Sequence, residues 1–244
     1  MLVEVVAVTP TGAGRTYLDV PFAHKDAAKA AGARWDPAAK SWYAPHPGMT
    51  ALAGWAPLPD LLPGEDRSFG EGLFVDLVPR TAFFTNVRSA ISPAFWDRVR
   101  KMVYRRAGYR CEMCGAVRDR DAKQWLEAHE RWRYLQHRES GRLVQRLERM
   151  LAACDLCHTA THWGHARVTG REQEALDHLM HVNGLERPAA WAHVDEAMRR
   201  YERRSQHVWE LDLSILTAAG IEVVTAPATE RADVAEATLR RLQG

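Results

Sequence analysis

The chain has 244 residues, 46% of them hydrophobic and 26% charged, with a formal net charge of only +2. That length supports two cores, and that balance excludes both a highly charged disordered chain and a uniformly basic one. No stretch approaches the roughly 18 apolar residues of a membrane span, and MLVEVVAV opens the chain without the parts of a signal peptide, so a cytoplasmic protein with no membrane partner is expected.

The first predicted elements lie in TYLDVPFAHKDAAKAAGARWDPAAKSWYAP. A strand is expected over Tyr17–Val20, a helix over Lys25–Ala31 ended by Gly32, and a hairpin-like pair around Ala33–Trp35 and Ser41–Tyr43 turning at Asp36-Pro37. Trp35, Trp42 and Tyr43 have two readings. Set among Lys25, Lys29, Arg34 and Lys40 they can form a stacking platform for bases. They can also be the core, which a domain of about 50 residues needs. The segment resembles a small bacterial domain of unknown function, found alone or attached to primase-like and other DNA-processing proteins, on its VPF, KDxAKxxGARWD and KxWYAP pattern.

Residues 45–72 concentrate proline and glycine and read as a partly packed linker. GLFVDLV then predicts a strand, and an amphipathic helix follows from about Pro93 to Arg106, with Ser92 as N-cap and proline at the first helical position. The expected division is a small domain over 1–60, a linker and lead-in strand over 61–90, a central domain over 91–185 and a helical extension over 186–244.

The only cysteines form two Cys-x-x-Cys pairs, Cys111/Cys114 and Cys154/Cys157. Disulfides suit an oxidising compartment, and a thioredoxin-like dithiol needs one pair and not two. Four thiolates at this spacing supply a closed tetrahedral site for structural Zn2+, and Gly115 suits the knuckle's turn. Between the pairs stand 39 residues, where simple zinc ribbons use about 15–20. Trp125 to Glu130 alternates well enough for a short strand, whereas RLVQRLERM partly looks like a helical face. After the second pair, His158 and His162 stand at i and i+4 and project from one face of a helix.

From Tyr109 to His165 these residues resemble the HNH, or ββα-metal, nuclease superfamily in its four-cysteine zinc variant. The motifs are the knuckle, the strand Leu126, Glu127, Ala128, His129, Glu130, and the helix opening at Cys154, Asp155, Leu156, Cys157, His158. The resemblance implies an α+β chain whose small N-terminal α/β domain precedes a zinc-clamped ββα-metal domain with extra helices. It implies an endonuclease that hydrolyses DNA phosphodiesters with one catalytic divalent ion, Mg2+, Mn2+, Ni2+ or Zn2+. His129 would be the base, with Glu130, His158 and His162 around that ion. Aligned literally, His129 instead falls on the ligand position and Glu130 on the base position; shifted by one, Ala128 cannot be a ligand. Where the family carries its central asparagine this chain has Arg149, which can clamp a phosphate.

Residues 97–150 carry 15 Lys/Arg against 8 Asp/Glu, a net of +7 that leaves −5 elsewhere. Such a stretch suits a phosphate backbone, with Arg131, Arg133, Arg149 and Arg167 as expected DNA contacts; the alternative is a solvated helical face of paired charges. His24, His46, His178, His181, His193 and His207 receive no role. Three helices are expected at roughly 171–183, 188–205 and 232–242, with a strand-like or short helical piece in between. Two further functions fit the same motifs: a degenerate copy that binds nucleic acid without cutting it, and a zinc-clamped protein-interaction module.

Overall fold

The computed structural model describes residues 15–117 and 125–243. The MLVEVVAV opening and the cations Arg118, Arg120 and Lys123 lie outside them. The chain is mixed α+β and divides into two compact units, residues 1–58 and 59–244.

In the first unit, β1 (Thr16–Leu18), α1 (Lys25–Ala30), β2 (Arg34–Asp36) and β3 (Ser41–Ala44) form an antiparallel sheet of order β1-β3-β2 with one helix. Gly32 ends the helix at φ +98°, a backbone that a side chain would strain, and an added Cβ would lie 2.8 Å from Met49. Alternation sorts the sheet residues. Leu18 and Ala44 join Val20, Ala28, Ala33 and Leu52 in the core, and Trp42 packs against that cluster. Trp35 pairs with Trp42 at 5.6 Å but stays 47% exposed at the sheet edge, so the core reading holds for one tryptophan of the two.

In the second unit, α2 (Val87–Ala90) and α3 (Pro93–Arg106) precede the knuckle. Ser92 caps α3 by accepting from the Phe95 N–H, with Pro93 at its first turn. The strand expected in residues 72–78 does not form. Leu73 and Val75 are buried as alternation requires, but the Val75 N–H goes to His193 Nε2 at 3.0 Å and the Asp76 N–H to the Thr161 carbonyl at 3.1 Å. The segment is an extended strap with no ladder. The expected linker is likewise packed at its end, where Leu62 is fully buried.

β4 (Leu126–Gln136) and β5 (Leu143–Cys154) fill the insert between the cysteine pairs as one long antiparallel hairpin. The helix-like look of RLVQRLERM has a physical cause. Arg131 pairs with Arg149 and Trp132 with Leu147, so Glu148 is the extra residue of a bulge that turns a period of two into the Leu147-to-Met150 spacing of three. β5 is central: β6 (Glu210–Asp212) pairs with it in parallel on the other side. The chain passes directly from β5 into α4 (Asp155–Thr161), which gives the ββα order.

Next come α5 (Trp163–Val168), α6 (Glu172–Asn183) and α7 (Arg187–Arg204), then α8 (Ser214–Thr217) after β6, and α9 (Ala228–Gln243). Among the described residues no helix is long and apolar enough to cross a membrane.

Arg106, at the end of α3, forms a fully buried bidentate pair with Glu65 at 2.7 and 2.6 Å. Glu65 also accepts from the Leu62 and Met150 N–H groups, which ties the approach segment, α3 and β5 together.

Candidate metal centres

The knuckle is set by its backbone. The Cys111 N–H donates to the Ala116 carbonyl at 2.8 Å, the Gly115 N–H to the Cys111 carbonyl at 2.9 Å, and Gly115 sits at φ +77°. Glu112 fastens this turn to β5: its N–H donates to the Ala152 carbonyl, and its carboxylate accepts from the Ala152 N–H at 2.7 Å. Across from it, Cys154 ends β5 at the N-cap position of α4, while Cys157 is buried in the first turn.

The four cysteines are free thiols whose sulfurs all lie within 4.8 Å of one another. Cys114 and Cys154 are 3.6 Å apart. Sulfurs around a tetrahedral zinc stand about 3.8 Å apart, given Zn–S bonds of about 2.3 Å. The donor set and its spacing therefore fit such an ion. Hydrogen bonds from Cys154 and Cys157 hold Cys111 far below the usual thiol value. Sharing with Cys111 pushes Cys154 up to about 12 and raises Cys157. A positive centre favours the thiolate forms.

One participant carries no sequence signal. His178, on α6, places Nε2 3.1 Å from Cys157 Sγ. That contact, in which the imidazole tautomer decides which atom donates, ties α6 to the cluster from outside it.

The second cluster grows from β4 and the end of α4. On β4, Glu127, His129 and Arg131 point to one face and Glu130 to the other. His129 is 4% exposed, and its ring centroid lies 5.4 Å from that of His158 and 4.9 Å from that of His162. His158 and His162 are 4.5 Å apart, and one nitrogen from each of the three rings falls within a 4.8 Å group.

The i, i+4 geometry is modified: α4 stops at Thr161, and His162 is the junction residue, at ψ 56°, before α5. Its N–H still bonds the His158 carbonyl, so the break turns the ring without losing the contact. The buried residues Thr161 and Trp163 fix it on either side.

Electrostatics keep these imidazoles neutral. Burial first, then the neighbouring His162, Arg131 and His158, hold His129 well below the ordinary histidine value. Burial, then His158, His165 and Arg131, bring His162 to about 3. Burial also lowers His158, opposed by Glu127, whose carboxylate is 3.4 Å from His158 Nδ1. His129 Nε2 is buried and has no hydrogen-bond partner, an arrangement that a bound cation would satisfy.

Three expectations need correction. Glu130 is not in the cluster: from the opposite face of β4 it accepts the Val87 N–H at 3.0 Å at the start of α2. Arg131 is fully buried, 4.0 Å over the Phe74 ring, and donates to the Gly72 carbonyl. Arg149 is buried too, donating to the Arg67 and Phe69 carbonyls and to Glu112.

Neither of these two arginines is open to a phosphate. Arg133 is half-exposed and paired with Glu148 at 2.7 Å, whereas Arg167 is exposed, 3.6 Å from Glu172. Much of the +7 stretch is thus spent on internal pairs, among them those of Arg106 and Arg149.

Burial raises the Glu130 carboxyl to about 7 from an ordinary 4.5. The stability tied to that group is whole below the unfolded value and is lost as pH rises through about 7. Glu130→Gln keeps an acceptor for Val87 and removes the titration. It is expected to gain about 1–2 kcal/mol over wild type between about pH 5 and about pH 9, measured by urea unfolding. A difference that does not change with pH would contradict this.

Residues 15–57 match a family described as a domain of unknown function (DUF5710). Two Escherichia coli proteins named DNA primase TraC are each 54% identical to the chain. One match covers 50 residues, 20% of this chain and 4% of the primase; the other covers 44 residues, 18% and 3%. The chain therefore spans only a small fraction of the length of these relatives. No solved structure matches it.

Proposed function

We propose that the second unit is a metal-dependent HNH-type endonuclease that hydrolyses DNA phosphodiesters, framed by a structural zinc on Cys111, Cys114, Cys154 and Cys157. One observation carries the reading. Three neutral histidines from a strand and the following helix converge, with an unpartnered buried nitrogen among them, on a ββα unit whose helix begins inside a four-cysteine cluster.

His129, His158 and His162 are the ligands, and His129 is the third nitrogen of the set instead of a separate base. The Glu127 carboxylate lies 3.4 Å from His158 Nδ1 and is the acidic neighbour placed to orient that ring. The histidines' depressed proton affinities keep the lone pairs available at neutral pH. A divalent ion held there supplies Lewis acidity toward the phosphoryl oxygens and brings a water near to ionisation at neutral pH. Of the four arginines expected at DNA, Arg167, on α5 and 3.6 Å from Glu172, is the most exposed and is assigned the backbone contact.

The test is nicking of supercoiled DNA in Mg2+, Mn2+, Ni2+ or Zn2+. His129→Ala and His158→Ala are each expected to reduce the rate at least about 100-fold. Nicking that survives both substitutions would sink the assignment. Retention of DNA by wild type without nicking in any of the ions would favour a binding protein on the same scaffold.

A further inference from the structure

The outer face of the first unit's sheet carries a row of side chains that its core does not use. Register places Tyr17 opposite Tyr43 and Tyr43 opposite Arg34, so the three stand side by side across β1, β3 and β2. They point away from Leu18, Ala44 and Trp42, which face the core together with Ala28 of α1. The tyrosine rings are 6.1 Å apart and partly exposed, and the Arg15 guanidinium lies 4.8 Å over Tyr43.

Among the described residues of this unit, no helix covers that face. The carboxylate of Asp36, beside the row, is engaged. It accepts from the Tyr17 hydroxyl at 2.7 Å and from the Ala38 and Ala39 N–H groups of the following turn, and Arg15 lies 3.8 Å away.

We infer that this face binds single-stranded nucleic acid, stacking bases on Tyr43 and Tyr17 while Arg15 and Arg34 meet the phosphates. Aromatic rings flanked by guanidinium groups offer what a splayed strand presents: flat π faces joined by anions. Packing does not demand this arrangement, because α1 completes the core on the other side. Over residues 15–57, five Lys/Arg stand against three Asp/Glu, a surplus complementary to a polyanion. The row is distinct from the histidine cluster and does not depend on nuclease activity.

The experiment is fluorescence anisotropy of labelled oligothymidylate and oligouridylate with the full chain carrying His158→Ala, so that the probe stays intact. Tyr43→Leu is expected to weaken binding about 10-fold and Tyr43→Phe to leave it near the parent value. Arg34→Ala is expected to weaken binding and lower the salt slope by about one. The two probes show whether the strand is DNA or RNA.

Iododeoxyuridine photocrosslinking is expected to label Tyr17 or Tyr43. Tyr17→Leu also releases Asp36, so Tyr43→Leu with an unchanged circular-dichroism melt is the deciding variant. Unchanged affinity in that folded variant, or crosslinks confined to residues 59–244, would overturn the inference.

Discussion

Cys154→Ser is expected to lower the melting temperature by about 10–20 °C and to abolish stoichiometric zinc binding. The residue closes β5, stands at the N-cap position of α4 without a side-chain capping bond, and supplies one of four sulfurs. Serine is the better N-cap, so the substitution spares the helix start and isolates the loss of the ligand. Structural zinc contributes about 10–16 kcal/mol in zinc-finger peptides. Removing one thiolate in four from a larger domain is assigned about 5 kcal/mol of that, at roughly 2–4 °C per kcal/mol. Calorimetry with metal analysis measures both effects. An unchanged melt with one zinc per chain would remove Cys154 from the centre.

The second large effect lies away from any metal. Glu65→Ala is expected to cost about 3–5 kcal/mol in urea unfolding, because it strands the Arg106 charge in a fully buried position. It also leaves the Leu62 and Met150 N–H groups without their acceptor. Arg106→Met should cost a similar amount, for it strands the carboxylate instead. The double variant Glu65→Leu with Arg106→Met should cost clearly less than the sum, since no isolated charge then remains. Additive losses of about 1 kcal/mol each would mean that water reaches the pair.

These two effects divide what sequence patterns reveal from what only packing does. The cysteine spacing, the α3 start at Ser92-Pro93 and the strand around His129 follow from local chemistry. Glu130 was also legible, since alternation alone puts it on the face of β4 opposite His129. On that period the two side chains cannot share one site. The β5 strand was harder, because the bulge at Glu148 imposes helix-like spacing on a strand buried on both faces.

Arg131, Arg149 and Arg106 read as a basic surface because burial is decided by partners far along the chain: Gly72, the Arg67 carbonyl and Glu65. His178 lies 21 residues beyond Cys157 and meets it only when α6 folds back. The strap over residues 72–78 has a strand's alternation and none of its pairing, and alternation cannot tell the two apart.

The proposed binding of one divalent ion by His129, His158 and His162, separate from the cysteine cluster, is tested most directly by calorimetric titration of Mn2+ or Ni2+ into the zinc-loaded chain. One further equivalent should bind to wild type and to Glu130→Gln, and none to His129→Ala or His162→Ala, with the zinc content unchanged throughout. Uptake that ignores the histidine substitutions but fails in Glu130→Gln, or no uptake by wild type, would contradict it.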